Sequence, residues 1–180
     1  MSEDAARAAL RARQGAGARY DADTAPHDDL LLARRGTAYF ARRLTMLSDA
    51  ALDEASLLPG IGRRHLIAQI SYQARELALA LKALRAPLVP EEAEWRPDVA
   101  LAATLPARAL RHLFDHAVKH LDVEWRDLPG AAWDRDVRLL SGESLSARET
   151  ARRRAQTVWQ AAIDLGNGGR VADMPDALRG

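Results

Sequence analysis

Residues 62–86 read GRRHLIAQISYQARELALALKALRA. Leu66, Ile67, Ile70, Ala74, Leu77, Leu81 and Leu84 recur three and four positions apart. That spacing lays them along one stripe of an α-helix, where a strand would need strict alternation. The turn Leu57-Leu58-Pro59-Gly60 precedes this helix. Before the turn, Leu30, Ala33, Thr37, Phe40, Leu44 and Leu47 repeat the pattern over about residues 29–48, with Asp28 and Asp29 expected to cap the start. After it, Pro87, Pro90 and Pro97 predict a long connection, because each lacks a backbone donor and restricts the residue before it. Thr104 and Pro106 open a further helix to about Arg126, which Pro129-Gly130 ends. Val137 to Leu140 and Ser144-Leu145, around Ser141-Gly142-Glu143, predict one short β-hairpin. Ser146 and Glu149 form an S-x-x-E capping box, opening a last helix that runs to Leu165 and stops at Gly166.

Four helices of about 18–25 residues, each with one apolar stripe, predict an all-α four-helix bundle with a single long crossover between the second and third. Composition agrees. Among 180 residues, 37 are alanine and 26 leucine, against 11 isoleucine and valine together. Two regions are expected, an N-terminal arm over residues 1–27 and the bundle over 28–180. Within the arm, Gln14-Gly15-Ala16-Gly17 interrupts a helix-compatible start and Pro26 ends the segment.

Charge and cysteine content exclude several functions. With 26 basic and 25 acidic side chains, the chain lacks the positive excess that counterion-release binding to nucleic acid requires. With no cysteine, it has no disulfide framework, cysteine nucleophile or thiolate metal site. No apolar run approaches membrane-spanning length, and the first ten residues are charged, so neither a membrane partner nor a secretory leader is expected. The expectation is a cytoplasmic protein with a small-molecule ligand, and a homodimer is compatible with it.

Candidate chemistry is sparse. His112, His116 and His120 recur every four residues, with Glu124 next, so they share one helical face where two histidines can hold a metal. They lie beside the stripe Leu110, Leu113, Ala117 and Leu121, which favours boundary positions over a metal site. Arg152-Arg153-Arg154 offers guanidinium groups for a carboxylate or phosphate, although such runs are commonly solvated faces. Trp95, Trp125, Trp133 and Trp159 are expected to anchor packing. No Gly-rich phosphate loop, G-x-S-x-G elbow or Walker motif is present.

Several segments together resemble a known family. These are Leu32-Ala33-Arg34-Arg35-Gly36-Thr37, Ser56-Leu57-Leu58-Pro59-Gly60 and Arg64-His65-Leu66-Ile67-Ala68. His116 with Leu121-Asp122-Val123-Glu124-Trp125-Arg126 follows, then Arg148-Glu149-Thr150, Val158-Trp159 and Ile163-Asp164-Leu165-Gly166. In this order, over about residues 30–176, they resemble the mycothiol-dependent maleylpyruvate isomerases, a family of DinB-like bundles. The resemblance implies a divalent metal, usually zinc, held by one histidine of the second helix and an E-x-x-x-H pair of the fourth. It also implies a low-molecular-weight thiol that attacks maleylpyruvate so that it can rotate to fumarylpyruvate. That thiol belongs to a cofactor, so the lack of cysteine is no obstacle.

At the matching positions the ligands are replaced. The second-helix histidine falls on Gln69, and the fourth-helix glutamate and histidine fall on Thr157 and Ala161. The tryptophan expected after Pro59-Gly60 is Ile61. Long family members carry a further C-terminal domain, whereas this sequence ends soon after Asp173-Met174-Pro175. The expectation is therefore a divergent, metal-free relative that binds a small molecule or partner in a pocket formed by Gln69, Tyr72, Gln73, Thr157 and Ala161. A metal-free enzyme using the same cavity is a further alternative, with His65 the candidate acid–base group and Arg154 the candidate anion clamp. The alternative is an active cis-trans isomerase or thiol transferase of aromatic catabolism using mycothiol or glutathione, with any metal held elsewhere, such as on His112, His116 and His120.

Overall fold

The computed structural model describes residue 5 and residues 20–179. Four long helices dominate: α1 His27–Met46, α2 Arg63–Lys82, α5 Ala107–Asp127 and α6 Ala147–Asp164. The crossover between α2 and α5 carries two short helices, α3 Pro90–Ala93 and α4 Val99–Ala103. Strands β1 Asp136–Arg138 and β2 Ser144–Ser146 form the antiparallel hairpin before α6, pairing Val137 with Leu145. Both of those side chains are buried, so the hairpin is held by the core as well as by its own ladder.

Local chemistry explains the boundaries, including those that differ from expectation. Helix α1 starts two residues early: Pro26 occupies the N-cap, and Asp28 and Asp29 lie within the first turn, where their charge meets the positive end of the helix dipole. Helix α2 stops at Lys82, after which residues 83–86 continue in tight turns. The proline-rich crossover is more ordered than its sequence suggests. Pro90 takes the first position of α3, and Asp98 caps α4 by accepting a hydrogen bond from the Leu101 N–H at 2.9 Å. The Ser146–Glu149 capping box forms, and Gly166 adopts φ 69° beyond the end of α6.

Helices α1 and α6 pack closely along their length, as do α2 and α5, and α2 also touches α6. Gly36 allows the first pairing: a methyl group there would lie 2.6 Å from Trp159 Cδ1. The Trp159 indole N–H donates to the Leu32 carbonyl at 3.0 Å, and its ring stacks on Tyr39. Phe40 and Phe114 meet between α1 and α5 in one half of the core, while Leu77, Leu121, Trp125 and Trp133 fill the other.

Arg63 joins the loops at one end of the bundle. Its guanidinium donates to the Leu165, Gly166 and Ala51 carbonyls and pairs with Glu54, which supplies a cation at the C-terminus of α6. Of the expected arm, residues 1–4 and 6–19 lie outside the described residues. Residues 20–26 pack on the bundle, with Asp21 paired to Arg34 and Thr24 Oγ1 donating to the Gly130 carbonyl. Among the described residues, no helix is long and apolar enough to cross a membrane.

Candidate functional site

Helix α6 runs Ala147, Thr150, Ala151, Arg154, Ala155, Val158, Ala161 and Ala162 along its buried face, which places a guanidinium among small apolar side chains. Arg154 is 0% exposed. Its Nη1 donates to the Ile70 carbonyl at 2.9 Å and to Gln73 Oε1 at 2.6 Å, both on α2. Its Nε and Nη2 have no hydrogen-bond partner among the described residues. Burial pushes its pKa down to about 9, still well above neutral, so the group remains a cation. An unpaired charge in a protein interior is costly, and among the described residues Arg154 is the one buried side chain with two unpartnered nitrogens.

The α2/α6 seam extends outward from Arg154. Gln73 Nε2 donates to Thr157 Oγ1 at 3.1 Å, and Thr157 in turn donates to the Arg153 carbonyl. Thus Gln73, Thr157 and Arg154, three of the residues singled out from the sequence, form one hydrogen-bonded series. Tyr72 is half-buried and packs edge-on against Trp95 in the crossover, while Gln69 is exposed and Ala161 buried. His65 is half-buried one turn before Gln69 and makes no hydrogen bond or ion pair with Arg154. At the three positions where the resemblance places metal ligands stand a carboxamide, a hydroxyl and a methyl. They lack the imidazole and carboxylate donors of a zinc site.

The periodic histidines are committed differently. His112 and His116 are exposed. His120 lies 3.3 Å from Glu124, whose carboxylate is also held by Arg85 at 2.6 Å. Among the described residues, no three His, Cys, Asp or Glu side chains come together as a group that could hold a metal ion. The arginine run divides as well: Arg152 pairs with Asp29 and Arg153 with Glu143, leaving only Arg154 inside.

The opposite seam holds a feature that the sequence did not reveal. Between α1 and α5 a cleft of about 310 Å³ opens, with Arg154 in its lining. Phe114, Leu121 and Trp125 contribute buried walls, and Ala38, Asp115 and Lys119 stand exposed at its mouth. The stripe Leu110, Leu113, Ala117 and Leu121 read from the sequence leaves out Phe114, which is buried, and nothing in the spacing shows that the neighbouring helix stands back from it.

Comparison with known proteins agrees with this architecture. Residues 33–166 match the family described as the mycothiol maleylpyruvate isomerase N-terminal domain. The crystal structure of the mycothiol-dependent maleylpyruvate isomerase is 35% identical, with a TM-score of 0.75. That of a histidine-to-alanine mutant of the mycothiol-dependent maleylpyruvate isomerase is 34% identical, with a TM-score of 0.76. Each match covers 85% of this chain and 65% of the solved one, so the chain spans about two-thirds of their length. No curated protein sequence matches it. The family match extends over most of the chain and the bundle superposes on these structures, so the chain belongs to the mycothiol maleylpyruvate isomerase family, through its N-terminal domain.

Proposed function

We propose that this chain is a member of the family that works without the family's metal and binds a small molecule at the α2/α6 seam. One observation carries the reading. Thr157, at the position the resemblance assigns to a glutamate ligand, has its hydroxyl engaged with Gln73 and the Arg153 carbonyl. A neutral oxygen already in that geometry is a weak ligand for zinc, and neither Gln69 nor Ala161 supplies an imidazole. Polar groups remain for an organic ligand. Gln69 and Tyr72 are accessible on the seam, Gln73 and Thr157 are paired within it, and His65 and Arg154 are the acid–base and anion-holding candidates. The chain acts in the cytoplasm in this reading, and neither nucleic acid nor a membrane is its partner.

The test is the metal content of protein purified without added metal, followed by zinc titration and dialysis. Wild type is expected to retain far less than one zinc per chain. Combining Gln69→His, Thr157→Glu and Ala161→His is expected to give one zinc that survives dialysis. Stoichiometric zinc on wild type overturns the metal-free reading, and failure of the triple variant to bind overturns the assignment of positions.

A second reading is favoured by the extent of the family match over residues 33–166. Here the chain is a thiol-dependent cis-trans isomerase of maleylpyruvate or a related thiol transferase, taking its nucleophile from mycothiol or glutathione. Conversion of maleylpyruvate that requires either thiol would establish it. Absence of conversion with both thiols, with and without zinc, leaves the binding role.

A further inference from the structure

The unpartnered side of Arg154 has a specific shape. Nε and Nη2 lie on one edge of the guanidinium and present two parallel N–H groups, the fork that matches the two oxygens of a carboxylate. The same edge meets carboxylates elsewhere in this molecule. Arg170 gives Nε and Nη2 to the two oxygens of Asp173 at 3.3 and 2.8 Å, while Arg85 gives both to one oxygen of Glu124 at 3.0 and 2.6 Å and Arg148 both to one oxygen of Asp134 at 3.2 and 3.0 Å. At Arg154 alone among these four, the fork is empty, and the group is fully buried where the others lie nearer water. Gln73 and the Ile70 carbonyl hold Nη1 from the α2 side, which fixes the guanidinium and leaves that edge prepared.

Arg154 also lines the α1/α5 cleft of about 310 Å³, at the lower end of the size range of small-molecule sites. Phe114, Val118, Leu121 and Trp125 give the cleft an apolar wall. Its lining holds four cations, Arg34, Lys119, Arg126 and Arg154, against two carboxylates, Asp115 and Asp122. Asp122 is already shared between Arg34 and Arg126, at 2.8 Å from each. The cleft therefore combines apolar walls and a cationic surplus with a guanidinium whose Nε–Nη2 edge is closed to solvent, so that a ligand reaches it by displacing side chains at the cleft floor.

We propose that the α1/α5 cleft binds a small organic carboxylate with an apolar body, the carboxylate seating on the Nε–Nη2 edge of Arg154 and the body lying against Phe114, Val118, Leu121 and Trp125. A strongly hydrated inorganic anion gains nothing from such walls, whereas a neutral apolar molecule leaves the fork empty. The cleft opens on the seam opposite Gln69 and Thr157 and shares only Arg154 with the α2/α6 reading: Nη1 stays on Gln73 and the Ile70 carbonyl, and the Nε–Nη2 edge serves the cleft.

The test uses benzoate and hexanoate as probes, with benzyl alcohol and inorganic phosphate as controls. Binding is read by thermal stabilisation and by the NMR signal of the Arg154 Nε–H, assigned by its loss in Arg154→Met. Both carboxylates are expected to raise the melting temperature saturably and to shift the Nε–H signal, whereas benzyl alcohol and phosphate are expected to do neither. Arg154→Met is expected to weaken benzoate binding at least tenfold. Should that variant fail to fold, Ala38→Trp fills the cleft from the exposed side of α1 without touching the guanidinium, and it is expected to weaken binding equally. Gln160→Ala, exposed on α6 and outside the cleft lining, is expected to retain benzoate affinity. An unmoved Nε–H signal at saturating benzoate, equal stabilisation by benzyl alcohol, or wild-type affinity in Ala38→Trp overturns the proposal.

Discussion

Glu124 is almost completely buried in α5. Burial pushes its carboxyl upward, but hydrogen bonds with His120 and Arg85 outweigh that effect and hold it below the ordinary glutamate value. Removing the charge leaves the partly buried Arg85 with only the more distant Asp127, at 3.7 Å. Glu124→Gln should therefore cost about 1–3 kcal/mol in urea unfolding at neutral pH. Adding Arg85→Met should recover part of the loss, because an apolar pair is tolerated better than a half-broken ion pair. Additive losses in the double variant would show that the two side chains are not energetically coupled. The four-residue repeat of His112, His116, His120 and Glu124 is legible in the sequence, but the partner that occupies Glu124 lies 39 residues away and no local pattern reveals it. Arg154 was legible only in part. Its position on the Ala151, Ala155 and Val158 stripe implies burial, while the empty side of its guanidinium depends on what α1, α2 and α5 place around it.

At the level of elements, the α1/α6 pairing rests on the absence of a side chain at one position. A Cβ at Gly36 would meet Trp159 Cδ1 at 2.6 Å and Val158 Cγ1 at 2.7 Å, distances that force these side chains or the two helices to shift. Alanine is the better helix former by about 1 kcal/mol. Overpacking costs about 1–3 kcal/mol and is expected to exceed that gain here, since both neighbours are themselves buried. Gly36→Ala should thus lower the melting temperature and weaken the near-ultraviolet signal of Trp159, whereas a stabilised variant would contradict such close packing. The elements that were easiest to read were those carrying an autonomous signal: the stripe of α2, the Ser146–Glu149 capping box and the glycine turn of the hairpin. Helices α3 and α4 were hidden because four and five residues complete too little of a helical period to be distinguished from a proline-rich connection.

For the whole molecule, stripe positions determine which face of each helix is buried but leave the order of the helices around the core undetermined. The close pairing of α1 with α6 and of α2 with α5 sets that order, and it leaves the α1/α5 seam as the open one. Segments outside the four long helices are fastened to this frame by ion pairs. Arg34 holds the Asp21 carboxyl below the usual carboxylate range, fixing residues 20–26 against α1. Hydrogen bonds from Arg170 and then Tyr39 bring Asp173 down to about 2, fixing the C-terminal turns to the same helix. In the unfolded chain these carboxylates recover ordinary values near 4, so between about pH 4 and pH 2 the unfolded state binds more protons than the native one. Stability from these groups is therefore complete above about pH 5 and is lost as pH falls through their lowered folded values. Asp21→Asn combined with Asp173→Asn should reduce stability at pH 7 and flatten its decline between about pH 4 and pH 2, measured by urea unfolding at a series of pH values. Hydrogen exchange in wild type should show residues 20–26 and 171–178 losing protection at a higher pH than the centre of α2 or α6. Simultaneous loss across all of these segments would mean that both ends unfold only with the bundle, and an unchanged acid slope in the double variant would place the pH dependence in Glu124 and the remaining carboxylates instead.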